Sequence, residues 1–149
     1  MSTTLLIIVI SVAAVFGFFY YQNSQAPALG VSQGKFKALS TKPNNVSSQT
    51  DIAEKKVATL PFKDTQQSTM DALKKAVAAY GGGTIEKETD EYLYVIFTTP
   101  LMRFRDDVEF WLDSSNKEVH FRSASRAGHS DMGLNRQRYD KIAALYQTQ

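Results

Sequence analysis

The chain predicts an α+β fold: one antiparallel β-sheet covered by two helices and preceded by a transmembrane helix. Three observations carry that expectation. An uncharged apolar run fills Leu5–Tyr21, helical apolar periods recur near residues 65–80 and 133–146, and between them the apolar period drops to two. The element order so read is β-α-β-β-β-β-α, with no internal repeat.

The first element, LLIIVISVAAVFGFFYY, would span about 28 Å as a helix counted from Thr3, close to the hydrocarbon thickness of a bilayer. Tyr20 and Tyr21 stand where an interfacial aromatic pair would. A membrane is therefore the expected partner of residues 3–21, in preference to the interior of a soluble protein. No Lys or Arg precedes the run, and the small-x-small trio Ser24-Gln25-Ala26 is followed at once by Pro27. Residues 1–22 read as a retained anchor or uncleaved signal. Lys35, Lys37 and Lys42 follow the span, and by charge alone would hold the domain on the cytoplasmic side.

Residues 23–51, rich in Ser, Gln, Asn, Pro and Gly, read as a linker, and 52–149 as the folded domain. Lys56–Phe62 suggests a short strand, with Pro61 marking an edge or an end. Thr65 or Asp64 can cap a helix whose stripe is Met70, Leu73, Val77 and Tyr80, stopped by Gly81–Gly83. Thr84–Glu88 with Glu91–Thr98, and Arg103–Asp113 with Lys117–Arg126, form two hairpins. A last helix runs from about Gly133 to Tyr146 and buries Tyr139, Ile142, Leu145 and Tyr146, with Asp131 placed to cap its start.

Composition excludes several functions. With 149 residues, 17 Lys and Arg against 15 Asp and Glu, and a net charge of +2, the chain lacks the basic excess of a nucleic-acid binder. The absence of cysteine removes disulfides, zinc–thiolate sites and thiol nucleophiles. His120 and His129 have no further histidine at ligand spacing, so no metal is expected. Ser123 and Ser125 lack a glycine-flanked nucleophile turn, and Gly81–Gly83 follows a helix where a phosphate loop would precede one, so no cofactor is expected either.

What remains is an arginine cluster. All arginines, Arg103, Arg105, Arg122, Arg126, Arg136 and Arg138, fall in one stretch beside Asp106, Asp107, Glu109 and Asp131. Arginine's planar donor fork suits bidentate pairing with carboxylate or phosphate. Pairing Asp113 with Glu118 puts Phe110 opposite Phe121, Val108 opposite Ser123 and Asp106 opposite Ser125 on one face. The other face then pairs Glu109 with Arg122, Asp107 with Ala124, Arg105 with Arg126 and Trp111 with His120. Exposed, such cross-strand pairs contribute under about 1 kcal/mol each. Asp106, set in the apolar row, must find a partner, with Ser125, Arg126 or the Ser130–Arg136 segment in reach.

Four runs carry a family resemblance: Pro43-Asn44-Asn45-Val46-Ser47-Ser48, Phe104–Phe110, Arg122–Gly128 and Ser130–Arg138. Over residues 38–147 the chain resembles the domain-of-unknown-function family DUF1499. The resemblance implies a bacterial inner-membrane protein, single-pass, with its domain on the periplasmic side. Many members resemble CPxxPNCVSS where this chain has Leu39 and Asn45, so any role of that cysteine pair cannot apply here. The family supplies no activity. The favoured function is a non-enzymatic envelope domain binding an anionic small molecule, a lipid head group or a protein partner. Its site would be Arg105, Arg122, Arg126, Asn135 and Arg136, oriented by Asp106, Asp107, Glu109, Ser125 and Asp131. The competing readings are a hydrolase or isomerase with Asp106 or Asp107 as general base, and a scaffold subunit of a membrane complex exposing Trp111 and tyrosines.

Overall fold

A computed structural model describes residues 2–149. The first helix, α1, runs Thr3–Ser24, with Ser2 capping the Leu5 N–H. It is long and apolar enough to cross a membrane, and none of its apolar window is buried inside the protein. Val31–Ser32 (β1) and Lys35–Phe36 (β2) pair as a short hairpin, and Asn45–Ser47 forms β3. Leu60–Pro61 (β4) follows a 3-10 turn at Ala53–Lys55. The helix α2, Gln66–Tyr80, opens on a capping box of Thr65 and Ser68 and ends at Gly81, whose φ of 84° suits a residue without Cβ. Then come β5 (Gly83–Glu88), β6 (Tyr92–Thr98), β7 (Arg105–Asp113), β8 (Glu118–Ser125) and α3 (Leu134–Gln147).

The main sheet is antiparallel in the order β3-β8-β7-β6-β5, with β4 also on β8. The β7–β8 register pairs Asp106 with Ser125, Glu109 with Arg122, Phe110 with Phe121 and Asp113 with Glu118, as the alternation of residues requires. One face carries Leu93, Val95 and Phe97 of β6, Val108, Phe110 and Leu112 of β7, and Val119 and Phe121 of β8. Against it pack Leu73, Ala76 and Val77 of α2 and Ile142 and Tyr146 of α3. Each large apolar side chain fully buried here contributes about 1.5–3 kcal/mol. Gly83 permits β5 to lie close to β6, since a Cβ there would stand 2.8 Å from Phe97 and 2.9 Å from Val95.

Two expectations need correction. Residues 23–51 are not a free linker. Asn45–Ser47 is a buried strand of the sheet, and residues 30–38 lie across the sheet's other face, with Gly34 against the Trp111 ring. Phe36 and Val46 are buried but isolated among residues held by backbone and polar side-chain bonds, so no apolar period shows. The strand expected at Lys56–Phe62 shrinks to Leu60–Pro61, because Val57 N–H is drawn to the Ser47 carbonyl instead.

Candidate functional site

The strand directions bring three connections to one end of the sheet: the β6–β7 loop, the segment after β8, and the entry to β3. The last turn of α1 is bonded to that same end. Asn23 donates to the Arg103 carbonyl at 2.8 Å and accepts from Arg105 N–H at 2.7 Å, while Gln22 accepts from Gly128 N–H at 3.3 Å.

On the face opposite the helices, alternate residues of three strands make two linked ion pairs. Glu109 receives Arg122 Nη1 at 3.0 Å, the Tyr92 hydroxyl at 2.7 Å and the Gly30 N–H at 2.9 Å. Arg122 Nε donates to the Lys37 carbonyl at 3.0 Å, fastening the N-terminal segment across the sheet. Asp107 takes a fork from Arg126, with Nε at 2.9 Å and Nη2 at 2.7 Å, and the Tyr94 hydroxyl at 2.5 Å. Burial raises the Tyr92 and Tyr94 phenols, and their bonds to Glu109 and Asp107 raise them further, so both act as fixed donors. The bond to Asp107 likewise raises Arg126.

A cavity of about 370 Å³ opens beside these pairs, lined by Arg122 and Arg126 with Lys37, Lys42 and Asn45, and by Tyr21, Gln22 and Gln25 at the end of α1. Arg122 Nη2 and Arg126 Nη1 have no acceptor among the described residues, and neither atom is sealed from solvent. Asn45 directs its amide to Ser40 Oγ at 2.9 Å, and its buried Oδ1 has no donor among the described residues.

The other face holds a separate network under α3. Arg138 Nη2 reaches Asp106 at 2.5 Å and its Nη1 reaches Asn135 Oδ1 at 2.9 Å, an oxygen that also accepts from the Ser123 hydroxyl. Asn135 Nδ2 donates to the Asn44 carbonyl, Ser125 Oγ and Asp131. Asp131 also receives Asn135 N–H at 2.7 Å, so it caps the helix as expected.

One family model, described as "Protein of unknown function (DUF1499)", matches residues 35–145, which hold every side chain of the two ion-pair networks and residues 35–38 of the segment crossing the sheet. The chain belongs to the DUF1499 family. No curated protein and no solved structure matches it significantly. In this DUF1499 domain the loop before β3 is held without sulfur. Asn45 bonds Ser40, and the buried Lys55 ammonium grips the Ser40 and Lys42 carbonyls at 2.7 and 2.6 Å.

The expected convergence of five side chains does not occur. Arg122 and Arg126 share the cavity, Arg105 is exposed outside it, and Asn135 lies beneath α3. Arg136 donates to the Glu54 and Lys56 carbonyls. Adjacent helical residues point about 100° apart, so Asn135 and Arg136 could not serve one site. The partner of Asp106 is Arg138, outside the reach assigned to it from sequence. A signal for that pair existed: Asp106 breaks the apolar row of its strand, and Arg138 breaks the buried stripe Asn135, Tyr139, Ile142 and Tyr146 of its helix. Tyr92, Tyr94, Lys37 and Lys42 were missed as well, the tyrosines because they read as ordinary strand residues.

Proposed function

We propose that this DUF1499 protein is a single-pass protein of the bacterial inner membrane, with a periplasmic domain that binds an anionic group where the anchor leaves the bilayer. The observation that carries the reading is the cavity's lining: two guanidinium groups held by carboxylates, each with a spare donor, beside two lysines and the last turn of α1. Glu109 and Asp107 neutralise and orient the arginines, leaving Lys37 and Lys42 as the net charge facing a ligand. A general base at Asp106 or Asp107 would need a free carboxyl, and both are engaged by arginine. Trp111 is half-buried, stacked on His120 and overlain by Gly34, which weighs against a scaffold surface built on it.

The test uses the full chain in phosphatidylcholine nanodiscs, titrated calorimetrically with glycerol 3-phosphate, and separately nanodiscs doped with phosphatidylglycerol, read by native mass spectrometry. Retention of the lipid alone identifies a head group; heat from the soluble phosphate identifies a free small acid. Arg122→Gln and Lys42→Gln should each weaken the binding seen by about tenfold. Arg105→Gln should leave binding of the soluble phosphate unchanged. Failure of both probes to bind overturns the proposal.

A further inference from the structure

The end of the sheet that receives α1 also presents its most exposed apolar side chains outside that helix. Leu101 is 89% exposed and Met102 47% in the β6–β7 loop, and Met132 is 92% exposed before α3. Both loops flank the helix. Phe104 packs edge-on against Phe19 at 6.5 Å, and Met102 and Phe104 line a cavity of about 350 Å³ with Phe16, Phe19 and Tyr20. Gln22, accepting from Gly128, joins the helix to the second loop. Phe16 lies five residues before Tyr21, where the apolar run ends, so the first loop reaches back about 8 Å along the helix. At that depth α1 is surrounded by hydrocarbon if it spans a bilayer.

Part of the backbone of these loops is satisfied internally. Thr99 N–H donates to the Phe104 carbonyl at 2.8 Å, Arg103 N–H to the Thr99 carbonyl at 3.1 Å, and Phe104 N–H to Thr99 Oγ1 at 2.9 Å, while Pro100 has no N–H to satisfy. Met132 N–H is taken by Ser130 Oγ at 3.2 Å and Gly133 N–H by Asp131 at 3.0 Å. These N–H groups need no bond from water near lipid, whereas the Leu101 and Met102 N–H groups have no partner among the described residues and would have to meet water or head groups. Charge follows the same axis. The exposed Arg103 and Arg105 lie at this end, whereas Asp90, Glu91, Asp113 and Glu118 lie at the other.

We infer that Leu101, Met102 and Met132 insert into the membrane on either side of α1, seating the domain on a phospholipid surface with Arg103 and Arg105 at phosphate level. The inference rests on the reading of α1 as a membrane span, and adds a second, domain-borne contact with the same bilayer. Amphipathic tips with cations above them are the chemistry of interfacial binding.

The cysteine-free chain allows single-site spin labelling of the full protein. Leu101→Cys, Met132→Cys, Val9→Cys within α1 and Ser115→Cys at the far turn would each carry a nitroxide in phosphatidylcholine–phosphatidylglycerol nanodiscs. Relaxation by oxygen, which concentrates in lipid, is compared with relaxation by a water-soluble nickel chelate. The expected result places Leu101 and Met132 with Val9 on the oxygen-favoured side, and Ser115 on the nickel-favoured side. A lipid-facing Val9 with water-facing Leu101 and Met132 overturns the seat and leaves the anchor standing. A water-facing Val9 overturns the anchor, and the seat with it.

Discussion

The two faces of the sheet carry ion pairs from neighbouring residues, yet they are built differently. Beneath α3, Asp106, Ser123, Asn135 and Arg138 are each 2% exposed or less, and Arg138 Nε has no acceptor among the described residues. Across the sheet, Asp107 and Glu109 are as deeply buried, but their arginines open onto a cavity. The first arrangement is a closed joint between strand and helix. The second keeps spare donors at a surface. Identical residue types one position apart in the chain thus divide between a closed joint and a cavity wall, because alternation sends them to opposite sides.

The comparison can be broken first at Arg138. Arg138→Met strands Asp106 as a buried unpaired charge and should cost about 3–5 kcal/mol, read as a fall in urea midpoint of the detergent-solubilised chain. Adding Asp106→Leu should restore most of that loss; a single variant as stable as the parent would make the joint dispensable. Arg122→Gln should cost less, about 1.5–3 kcal/mol, because Tyr92 and the Gly30 N–H still hold Glu109. Its stability loss should come with the loss of anion binding, whereas Arg138→Met, at temperatures where it remains folded, should bind as the parent does. Lys42→Gln should change stability by under about 0.5 kcal/mol and act on binding alone.

The smallest effect concerns His120, on the open face, stacked at 5.1 Å on Trp111 and bonded to Ser48. Burial lowers its pKa, partly offset by Glu118 and Asp113. The folded state therefore prefers the neutral ring. Its contribution is fully present above the ordinary imidazole value of about 6.5 and is lost as pH falls through the lower folded value. His120→Gln should flatten the decline in melting temperature between about pH 7 and pH 5; an unaltered slope would show that the ring does not govern it.

Much of this architecture could be read from residue order. Alternation in β7 and β8 sorts residues by face, and taking a four-residue turn between Asp113 and Glu118 then puts Glu109 opposite Arg122, as observed. Asp106 announces itself as a misfit for the same reason. Its partner does not, because strand period and helix period give no common register, and only packing reveals that Arg138 comes over Asp106. The segment from Gly30 to Lys37 leaves no pattern either. It is held by the Gly30 N–H and the Lys37 carbonyl, atoms that any residue type supplies. The cavity depends on that segment, which is why arginines could be gathered from sequence but not sorted.

Asn23 gives the molecule a mechanical property of its own. Its carboxamide binds a carbonyl on one side and an N–H on the other, both in the connection between β6 and β7. Turning the domain about the axis of α1 would break both bonds together, along with the Gln22 tie, so the helix acts as a rigid axle. The domain is thereby held at one heading about α1 and at one distance along it.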